Sequence, residues 1–504
     1  MAIVIGIDLG TSNIAFSYVE NNEAKIIPNQ DGYNITPSII ALGDDVLIGR
    51  AAKRQQQLNP KTTIYSSKRF IGRLFSEALS SKKMVNYDII EDQQGECTFL
   101  VENEEYTPQE IAATLLLQLK KQMELYLQEE ITQAVITVPA YFNDRMRQAT
   151  KDAGMLAGLD VLRIINEPTA AALAYSRTIS GRKKILVYDF GGGTFDVSLV
   201  EMENDFTHVQ ATRGDNALGG NDIDFLLTNY ICDNFHELHG VDLRQDPISF
   251  QRVQDEAERI KCELSSTQSS SLYLPFIYSD IEKGTLNLEM KLSRKILETL
   301  IAEIIETTII ECKKTLEDGN LEPADLDEII LVGGSSRIPL IHERLQQTFS
   351  CPLNSSVNPD EVIALGAAIQ ADMLAGSASQ SIVLLDVTPF SLGIEEKGGL
   401  FKPLIHRNSL IPIEVRKKAT TVVDNQRTIK IHILQGESPL AIENHSLGEF
   451  ELTDIAPANR GVPKIDIQIS LNSNGLVKVS ATDTRSGRKE EIQIERSNIL
   501  SAKE

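Results

Sequence analysis

Two short segments of the chain carry an aspartate, a glycine-containing turn and a threonine in the same order. The segments VIGIDLGTSNIAFSYVE and LVYDFGGGTFDVSLVEM each contain an apolar strand that ends at an aspartate, Asp8 or Asp189. A turn follows, and Thr11 or Thr194 precedes a second apolar strand. Glycines let backbone N–H groups approach a ligand without interference from a Cβ atom. The pattern predicts two hairpins that bind phosphate.

The paired aspartates indicate the cation that accompanies such a phosphate. Mg²⁺ keeps several waters and is bound through one or two carboxylates together with substrate phosphates. Because the strand–turn–strand unit occurs twice, we expect two similar lobes, with Asp8 and Asp189 facing one cleft. A glycine-rich turn is also typical of a purely structural hairpin. The matching aspartate and threonine in both copies favour the binding interpretation.

A further glycine pair lies in LVGGSSRIP, after another apolar strand and before a predicted helix. Helix N-termini attract anions and polar ligands. A tight turn between a strand and a helix explains the same residues without a ligand, so both interpretations stay open for this segment.

The elements that position these turns alternate between strand and helix patterns in residues 1–377. Strand patterns include IVIGID, QAVITVPA, KILVYDF and EIILVGG. The segment TPQEIAATLLLQLKKQMELYL predicts a helix with Thr107 as N-cap, Pro108 in the first turn and Glu110 three residues after the cap. This alternation predicts an α/β domain.

Small and polar residues at 375–381 end the helical pattern, and the apolar run SIVLLD begins a strand-only region. Alternating residues around Asn474 and Gly475 predict one hairpin there, and TVVDNQRTIKIHILQG predicts a second. We expect an interdomain linker at residues 378–386. An all-β domain, a β-sandwich, is expected at residues 387–496, and a tail at residues 497–504.

Composition limits the location and the partners of the chain. The net charge is −22 at pH 7, which argues against nucleic acid or an anionic membrane as a partner. No apolar run approaches the roughly 20 residues that a membrane span needs. The five cysteines are dispersed, without a Cys-x-x-Cys pair, as is typical of reduced thiols. These features favour a cytoplasmic protein.

A series of segments carries a specific likeness from residue 3 to about residue 496. In order, they are IDLGTSN, KRFIGRLF, AVITVPAYFND, RQATKDAGMLAGLDVLRIINEPTAAALAYS, VYDFGGGTFDVS, LGGND, LVGGSSRIP, NPDEVIALGAAIQA and LLDVTPFSLGIE. Together they resemble the seventy-kilodalton heat-shock chaperone family. The resemblance implies a two-lobed ATPase domain of the actin/hexokinase-like fold, followed by a β-sandwich domain that binds peptides.

The resemblance also implies a role for each matching residue of the ATPase site. Asp8 and Asp189 would orient the waters around Mg²⁺, and Glu167 would coordinate such a water. Lys68, in SSKRFIG, would position the γ-phosphate and the attacking water, and Asp196 would lie near that water. The two implied phosphate loops are Gly10, Thr11, Ser12 and Asn13, and Gly191, Gly192, Gly193 and Thr194. The chemistry is in-line attack by water, helped by positioning and charge stabilisation.

For the adenosine, the resemblance implies a set of residues from three segments: Gly220, Glu258, Lys261, Ser265, Gly334, Ser335, Arg337, Ile338 and Asp360. Glu258, Lys261 and Ser265 are three and four positions apart, so a helix presents them on one face. Cys262 departs from the family, whose members have an arginine or an aliphatic residue against adenine at this place. The thiol therefore puts the affinity for adenine in question.

The segment SIVLLD resembles the family's interdomain linker. Four consecutive apolar residues are costly to leave in water, so we expect the segment to dock as an extra strand in one nucleotide state and to detach in the other. The alternative is that it is the first strand of the β domain. The resemblance implies a surface for J-domain cochaperones and a relay between nucleotide and linker. These residues are Arg163, Asn166 and Asp386 for the surface, and Pro139 and Arg147 for the relay.

In the β domain, the resemblance implies a groove for one apolar side chain of an extended peptide. Its matching residues are Ile394, Lys397, Ala419, Val422, Ile429 and Ile431. Ala419 stands where relatives have phenylalanine, and Lys397 stands where they have methionine or alanine. We expect a more open and more basic groove that prefers bulkier or acidic segments.

The function implied by the resemblance is that of an ATP-dependent chaperone of the stress response. ATP hydrolysis, with Mg²⁺, would control the grip on unfolded or client polypeptides, assisted by a J-domain cochaperone and a nucleotide exchange factor. Only SNILSAKE follows the last strand pattern, so we expect no helical lid and rapid client exchange. One alternative is an ATP-binding regulator of another chaperone, with little refolding activity of its own. Another, a small-molecule kinase, is disfavoured because the all-β region lacks kinase substrate motifs.

Overall fold

The computed structural model describes residues 3–177, 179, 181–203, 206–355, 357–376, 382–487 and 489–493. Residues 1–2, the first part of the predicted linker (378–381), the end of the predicted β-sandwich (494–496) and the predicted tail lie outside these residues. Within the described part, no helix is long and apolar enough to cross a membrane.

The first lobe is a mixed α/β unit with one large buried apolar cluster. Its strands are β1 Ile3–Leu9, β2 Asn13–Glu20, β3 Glu23–Ile27, β4 Thr36–Pro37, β5 Ile39–Ala41, β6 Leu47–Ile48, β7 Thr63–Tyr65, β8 Asp88–Glu91, β9 Cys97–Val101, β10 Glu104–Tyr106, β11 Ile131–Val138 and β12 Asp160–Asn166. Its helices are α1 Gly49–Gln55, α2 Leu79–Lys82, α3 Pro108–Leu127, α4 Asp144–Leu156 and α5 Glu167–Ser176.

The second lobe has its own large apolar cluster. Its strands are β13 Arg182–Phe190, β14 Phe195–Glu203, β15 Phe206–Asp215, β16 Ser269–Asp280, β17 Gly284–Ser293, β18 Glu328–Val332 and β19 Leu353–Asn354. Its helices are α6 Gly220–His239, α7 Pro247–Leu264, α8 Arg294–Asp318 and α9 Pro339–Thr348. The last helix, α10 Val362–Leu374, packs against β1, β2 and α5 of the first lobe.

The central sheets of the two lobes share one strand arrangement. The order is β12-β11-β1-β2-β3 in the first lobe and β19-β18-β13-β14-β15 in the second. In each, the first strand of the hairpin is antiparallel to the second and parallel to the strand on its other side. Both predicted hairpins are confirmed, with Leu9 opposite Ile14 and Asp189 opposite Asp196. The internal repeat of the sequence is thus a repeat of topology.

Local sequence signals fix the start of α3 as predicted. The hydroxyl of Thr107 accepts the N–H of Glu110 at 3.2 Å, and the Glu110 carboxylate accepts the N–H of Thr107 at 2.8 Å. Pro108 occupies the first turn, where its missing N–H costs nothing. This capping box ends the preceding loop and sets the direction of the helix.

The last part of the described chain is built of strands alone, apart from one short 3₁₀ turn. The strands are β20 Val383–Val387, β21 Leu392–Glu396, β22 Leu400–Ile405, β23 Leu410–Ile411, β24 Ile413–Ala419, β25 Ile429–Gln435, β26 His445–Leu452, β27 Ile465–Leu471, β28 Val477–Asp483 and β29 Lys489–Gln493. Two four-stranded sheets, β22-β21-β25-β26 and β24-β27-β28-β29, enclose a common apolar core.

One of the two predicted hairpins of this region is wrong. β27 and β28 pair as expected around Gly475, but TVVDNQRTIKIHILQG forms no hairpin. Its first half is a loop, and β24, before the loop, belongs to the sheet opposite β25. β24 and β25 both point apolar residues into the same core. Their alternation of apolar and polar residues is therefore the same whether the strands pair in one sheet or lie in opposite sheets. The N–H of Asn425 bonds to the carbonyl of Ala458, which ties the loop to a distant segment.

β20 joins the two parts of the chain. It runs parallel to β15, with Val383 opposite Phe206, and antiparallel to β23, with Asp386 opposite Ile411. The segment therefore is an extra strand on the α/β sheet, as expected, and it also pairs with the first part of the β region, as in the alternative interpretation. The strand places Asp386 inside the α/β part, where it is buried.

Candidate nucleotide site and its connection to the β-sandwich

The two hairpin turns face one cleft between the lobes, with a cavity volume of about 340 Å³. Most of the residues predicted for the site line this cleft. These are Asp8, Gly10, Thr11, Ser12, Asn13, Glu167, Asp189, Gly191, Gly192, Thr194, Glu258, Lys261, Ser265, Gly334, Ser335, Arg337, Ile338 and Asp360. The volume suits a nucleotide-sized ligand.

The other predicted residues stand just behind that lining. Gly220 donates its N–H to the carbonyl of Gly191 at 2.9 Å, and Lys68 reaches the cleft through Glu167. Asn221, which also lines the cleft, was not predicted. It directly follows Gly220 in the LGGND segment, so that segment already carried the signal.

The glycines of the second turn are needed because the two turns touch. A Cβ atom on Gly192 would lie 2.0 Å from the hydroxyl oxygen of Ser12, and one on Gly193 would lie 2.6 Å from the Thr11 hydroxyl oxygen. Any larger residue would push the two turns apart. Gly192 and Gly193 therefore bring the backbone of one lobe against the turn of the other.

Buried carboxylates gather at the base of the cleft. Asp8, Asp189, Asp196 and Glu167 are all buried or nearly so. Burial, followed by the charge of Glu167, raises the pKa of Asp8 to about 7, and the same two causes raise the pKa of Asp196 to about 8. Burial and the neighbouring acids also raise the pKa of Asp189 well above its ordinary value. The cluster is therefore short of positive charge.

The carboxylates fit a hydrated cation better than a directly ligated one. One oxygen of Asp189 is buried without a hydrogen-bond partner, while an oxygen of Asp8 accepts the Thr137 hydroxyl at 3.1 Å. Among the described residues, no three acidic, histidine or cysteine side chains converge as ligands of a single ion. A cation that keeps most of its water, as Mg²⁺ does, matches this donor set.

Lys68 provides positive charge in this cluster. It lies in a 3₁₀ turn, Ser67–Arg69, that begins after Ser66 in the left-handed region with φ of 55°. Its ammonium nitrogen is 2.5 Å from a Glu167 oxygen, and both side chains are buried. Arg69 anchors the same turn to the second lobe through an ion pair of 2.7 Å with Asp222. The turn thus holds Lys68 over the cleft.

Helix α7 supplies the opposite wall of the cleft. As the three- and four-residue spacing predicts, Glu258, Lys261 and Ser265 all face the cavity. Lys261 pairs with Asp224 at 2.6 Å, and Glu258 pairs across the cleft with Lys53 of the first lobe at 2.7 Å.

The third glycine segment closes this wall with a further ion pair. Arg337, in the 3₁₀ turn Gly334–Arg337, pairs with Asp360 at 2.6 Å. Cys262 lines the same side of the cavity. Burial raises the pKa of its thiol.

Comparison with known families settles the relationship of the chain. The family model described as "Hsp70 protein" matches residues 4–504. The chain belongs to the Hsp70 family. Hsp70 proteins are ATP-dependent chaperones and ATPases that bind ATP or ADP with Mg²⁺, and they act on client polypeptides with J-domain proteins and exchange factors.

In this Hsp70 chain, hydrogen bonds connect the nucleotide cleft to β20. Asn166, adjacent to Glu167, donates to the Asp386 carboxylate at 3.0 Å, and Thr169 donates to the same oxygen at 3.0 Å. Arg147 donates to the side-chain oxygen of Asn166 at 2.7 Å. Thr169 was not predicted, although it lies in the NEPTAAA segment.

The other residues predicted for the relay and for the J-domain surface lie around these hydrogen bonds. The carbonyl of Pro139 accepts the N–H of Phe142 at 3.1 Å, at the turn that leads into α4. Arg147 donates to the carbonyls of Ala140 and Phe142 in that turn. Arg163 donates to Gln370 of α10 at 3.1 Å.

The β-sandwich of this Hsp70 chain lies against the first lobe. The N–H of Val477 donates to Asp144 at 2.7 Å, and the N–H of Ile164 donates to Asn474 at 3.2 Å. Arg407 forms an ion pair with Asp318 of the second lobe.

The residues predicted for the peptide groove differ in exposure. Ile394 and Ile431 are buried in the core of the sandwich, and Ile429 and Ala419 pack against it. Lys397 is exposed, and Val422 is 69% exposed on the loop before β25.

Proposed function

We propose that this chain is an ATP-hydrolysing chaperone in which the nucleotide state sets the grip on extended, hydrophobic client segments. One observation carries the proposal. Asn166 directly precedes Glu167 of the cleft, accepts a hydrogen bond from Arg147 and donates one to Asp386. Asp386 belongs to β20, the strand that leads into the β-sandwich. A change at the phosphates can therefore bias the attachment of β20 and, with it, the β-sandwich.

In the proposed reaction, water attacks the γ-phosphate in line. The bound Mg²⁺ would neutralise charge on the phosphates, with its waters oriented by Asp8, Asp189 and Glu167. The glycine turns, with Thr11 and Thr194, donate hydrogen bonds that fix the phosphates. Lys68, held by Glu167, positions the γ-phosphate and stabilises its developing charge. Asp196 accepts the N–H of Tyr141 at 3.0 Å, which holds it beside the site of attack.

The adenosine lies between α7 and the third glycine segment in this proposal. Glu258, Lys261 and Ser265 lie on one side, and Arg337 and its neighbours Gly334, Ser335, Ile338 and Asp360 lie on the other. Gly220 supports the phosphate turn from below. Cys262 replaces a longer side chain, so we propose that adenine is held mainly by the polar contacts and less by stacking.

In this proposal the client site lies at Ile394, Ile429 and Ile431 of the β-sandwich. The exposed loop residue Val422 flanks this site. Undocking of the sandwich from the lobes would let the loops close on a peptide. Ala419 leaves space, and Lys397 adds charge at the rim, so we propose a preference for bulkier or acidic segments. A J-domain cochaperone would engage Arg163, Asn166 and Asp386, and an exchange factor would open the lobes in the cytoplasm of a stressed cell.

A steady-state ATPase assay with and without a J-domain protein and an extended peptide tests the proposal. We expect slow basal turnover that each addition accelerates, with a further gain when both are present. Nucleotide binding without stimulated turnover would overturn the proposal in favour of an ATP-binding regulator. Transfer of phosphate to a sugar or an acid would overturn it in favour of a kinase.

A further inference from the structure

The interface between the first lobe and the β-sandwich contains two titratable contacts. Nδ1 of His445, at the start of β26, is 3.2 Å from the carboxylate of Glu77 in the first lobe. Asp144, at the first position of α4, accepts the N–H of Val477 in β28 at 2.7 Å and is buried in the interface. Each contact joins the first lobe to the sandwich, so a change in charge at either one changes docking.

The surroundings of His445 contain both signs of charge. Glu77 faces the imidazole from the 3₁₀ turn Phe75–Glu77. Arg145 of α4 donates a hydrogen bond of 2.9 Å to the Ser446 carbonyl. Its positive charge also acts on the Glu77 carboxylate. Phe390 packs edge-on against the imidazole, with ring centroids 6.4 Å apart. Burial opposes ionisation of Glu77, but the hydrogen bond and charge of His445, together with the Leu74 N–H and the charge of Arg145, lower the pKa of Glu77. The pair therefore stabilises docking when the imidazole is charged.

Asp144 responds to protons in the same direction. Burial raises its pKa to about 7, although the Val477 N–H and the charges of Arg147 and Arg145 oppose this rise. When the sandwich separates from the first lobe, the Asp144 carboxyl group would return to water, where the pKa of an aspartate is about 3.9. The docked form therefore holds this proton more tightly, and docking weakens as the pH rises from about 4 through about 7.

We propose that proton uptake at the interface formed by His445, Glu77 and Asp144 strengthens docking of the β-sandwich on the first lobe. A protonated imidazole attracts a carboxylate more strongly than a neutral one, which offers at most a hydrogen bond. The Asp144 contact therefore weakens as the pH rises to about 7, and the His445 contact weakens when its imidazole loses its positive charge. Acid pH favours the docked state, and a return to neutral pH favours separation. This inference rests on the proposed function for its consequence, which is pH-dependent client release.

Small-angle scattering of the full chain with saturating ATP tests docking without reference to activity. We expect the radius of gyration to increase as the pH rises from about 5 to about 7 in the natural sequence. The variant His445→Lys keeps the positive charge, and Asp144→Asn mimics the protonated acid, so the double variant should stay compact throughout. The control His236→Gln removes an exposed imidazole on α6 and should keep the natural profile.

A constant radius in the natural sequence would overturn the inference, and so would a pH-dependent radius that survives in the double variant. Each single variant should remove part of the change, which keeps the test valid if the double variant folds poorly. Peptide dissociation with ATP and with ADP, measured in parallel, separates the two proposals. If ATP never accelerates dissociation while the radius still depends on pH as described, the proposed function fails and the proton-linked docking stands.

Discussion

Asn166 donates a hydrogen bond of 3.0 Å to the carboxylate of Asp386. The first residue immediately precedes Glu167 in the nucleotide cleft, and the second belongs to the strand that enters the β-sandwich. Both are buried, so the bond cannot be replaced by water without opening the interface. The cleft and the strand that enters the β-sandwich thus meet in one contact.

Replacement of Asp386 tests this contact. Asp386→Ala leaves Asn166 and Thr169 without their acceptor, a loss typically worth about 1–3 kcal/mol for buried groups. We expect unchanged affinity for ATP but at least about a fivefold smaller effect of ATP on peptide dissociation. Fluorescent-peptide dissociation and nucleotide titration measure the two quantities. The control Asp45→Ala, at an exposed turn, should change neither. Full ATP-accelerated release in Asp386→Ala would contradict the role of the contact.

Lys68 should be needed for turnover and not for binding. Lys68→Ala removes the ammonium group beside Glu167 and the γ-phosphate position, and loss of one preorganised charge costs roughly 10²-fold in rate. We expect single-turnover hydrolysis to fall by about that factor while ADP binds with nearly unchanged affinity. Lys121→Ala, at an exposed position of α3, is the matched control. A Lys68→Ala protein that hydrolyses ATP at the natural rate would exclude this assignment.

The close approach of the two turns predicts a severe effect of one methyl group. A Cβ on Gly193 would come within 2.6 Å of the Thr11 hydroxyl oxygen and methyl carbon and within 2.9 Å of the Thr11 Cβ, so Gly193→Ala must separate the turns. Isothermal titration should show nucleotide affinity reduced by about 100-fold or more. Gly43→Ala adds the same methyl group where nothing lies within 4 Å and should bind normally. Equal affinities in the two variants would argue against a phosphate site between the turns.

The reactivity of Cys262 should show whether a nucleotide occupies the proposed adenosine side of the cleft. Bound nucleotide would cover its thiol, so we expect ATP and ADP to slow its alkylation by iodoacetamide, with the modified residue identified by mass spectrometry. Because burial raises the pKa of this thiol, the thiolate forms only above the usual pH range. Alkylation should therefore keep accelerating with rising pH after an ordinary thiol is fully ionised. Cys351, outside the lining of the cleft, provides an internal control, and equal protection of both cysteines would count against the assignment.

Client preference should depend on the space beside Ala419. This residue packs at the edge of the sandwich core, and Ala419→Phe would fill the space that distinguishes the groove. On an array of extended peptides, we expect the natural chain to favour bulky apolar residues with acidic neighbours. Ala419→Phe should shift the preference towards smaller aliphatic residues, and Lys397→Ala should reduce the acidic preference. An array with ordinary aliphatic, basic-flanked preference for the natural chain would refute the proposed groove.

Much of the nucleotide cleft could be predicted because its signals are local. The repeated aspartate, turn and threonine identify both hairpins, and the spacing of Glu258, Lys261 and Ser265 places them on one helical face. Lys68 gives no such signal, since an isolated lysine is ordinarily a solvated surface residue. Only its surrounding motif identified it. The structure then supplied the reason for its burial, which is the pairing with Glu167.

The contacts between distant segments could not be predicted in the same way. Alternation places residues on one face of a strand but does not choose the partner strand, which is why a hairpin was wrongly expected before β25. The bonds of Asp144 to Val477 and of Asn474 to Ile164 join residues more than 300 positions apart. No local pattern encodes such contacts. They follow from the packing of complete elements.

The most direct test of the account is the dissociation rate of a fluorescent extended peptide from the complete chain, with saturating ATP and with saturating ADP. The account predicts that ATP accelerates dissociation at least about tenfold and that Asp386→Ala abolishes most of this difference. Identical dissociation rates in the two nucleotides, with both nucleotides bound, would contradict it.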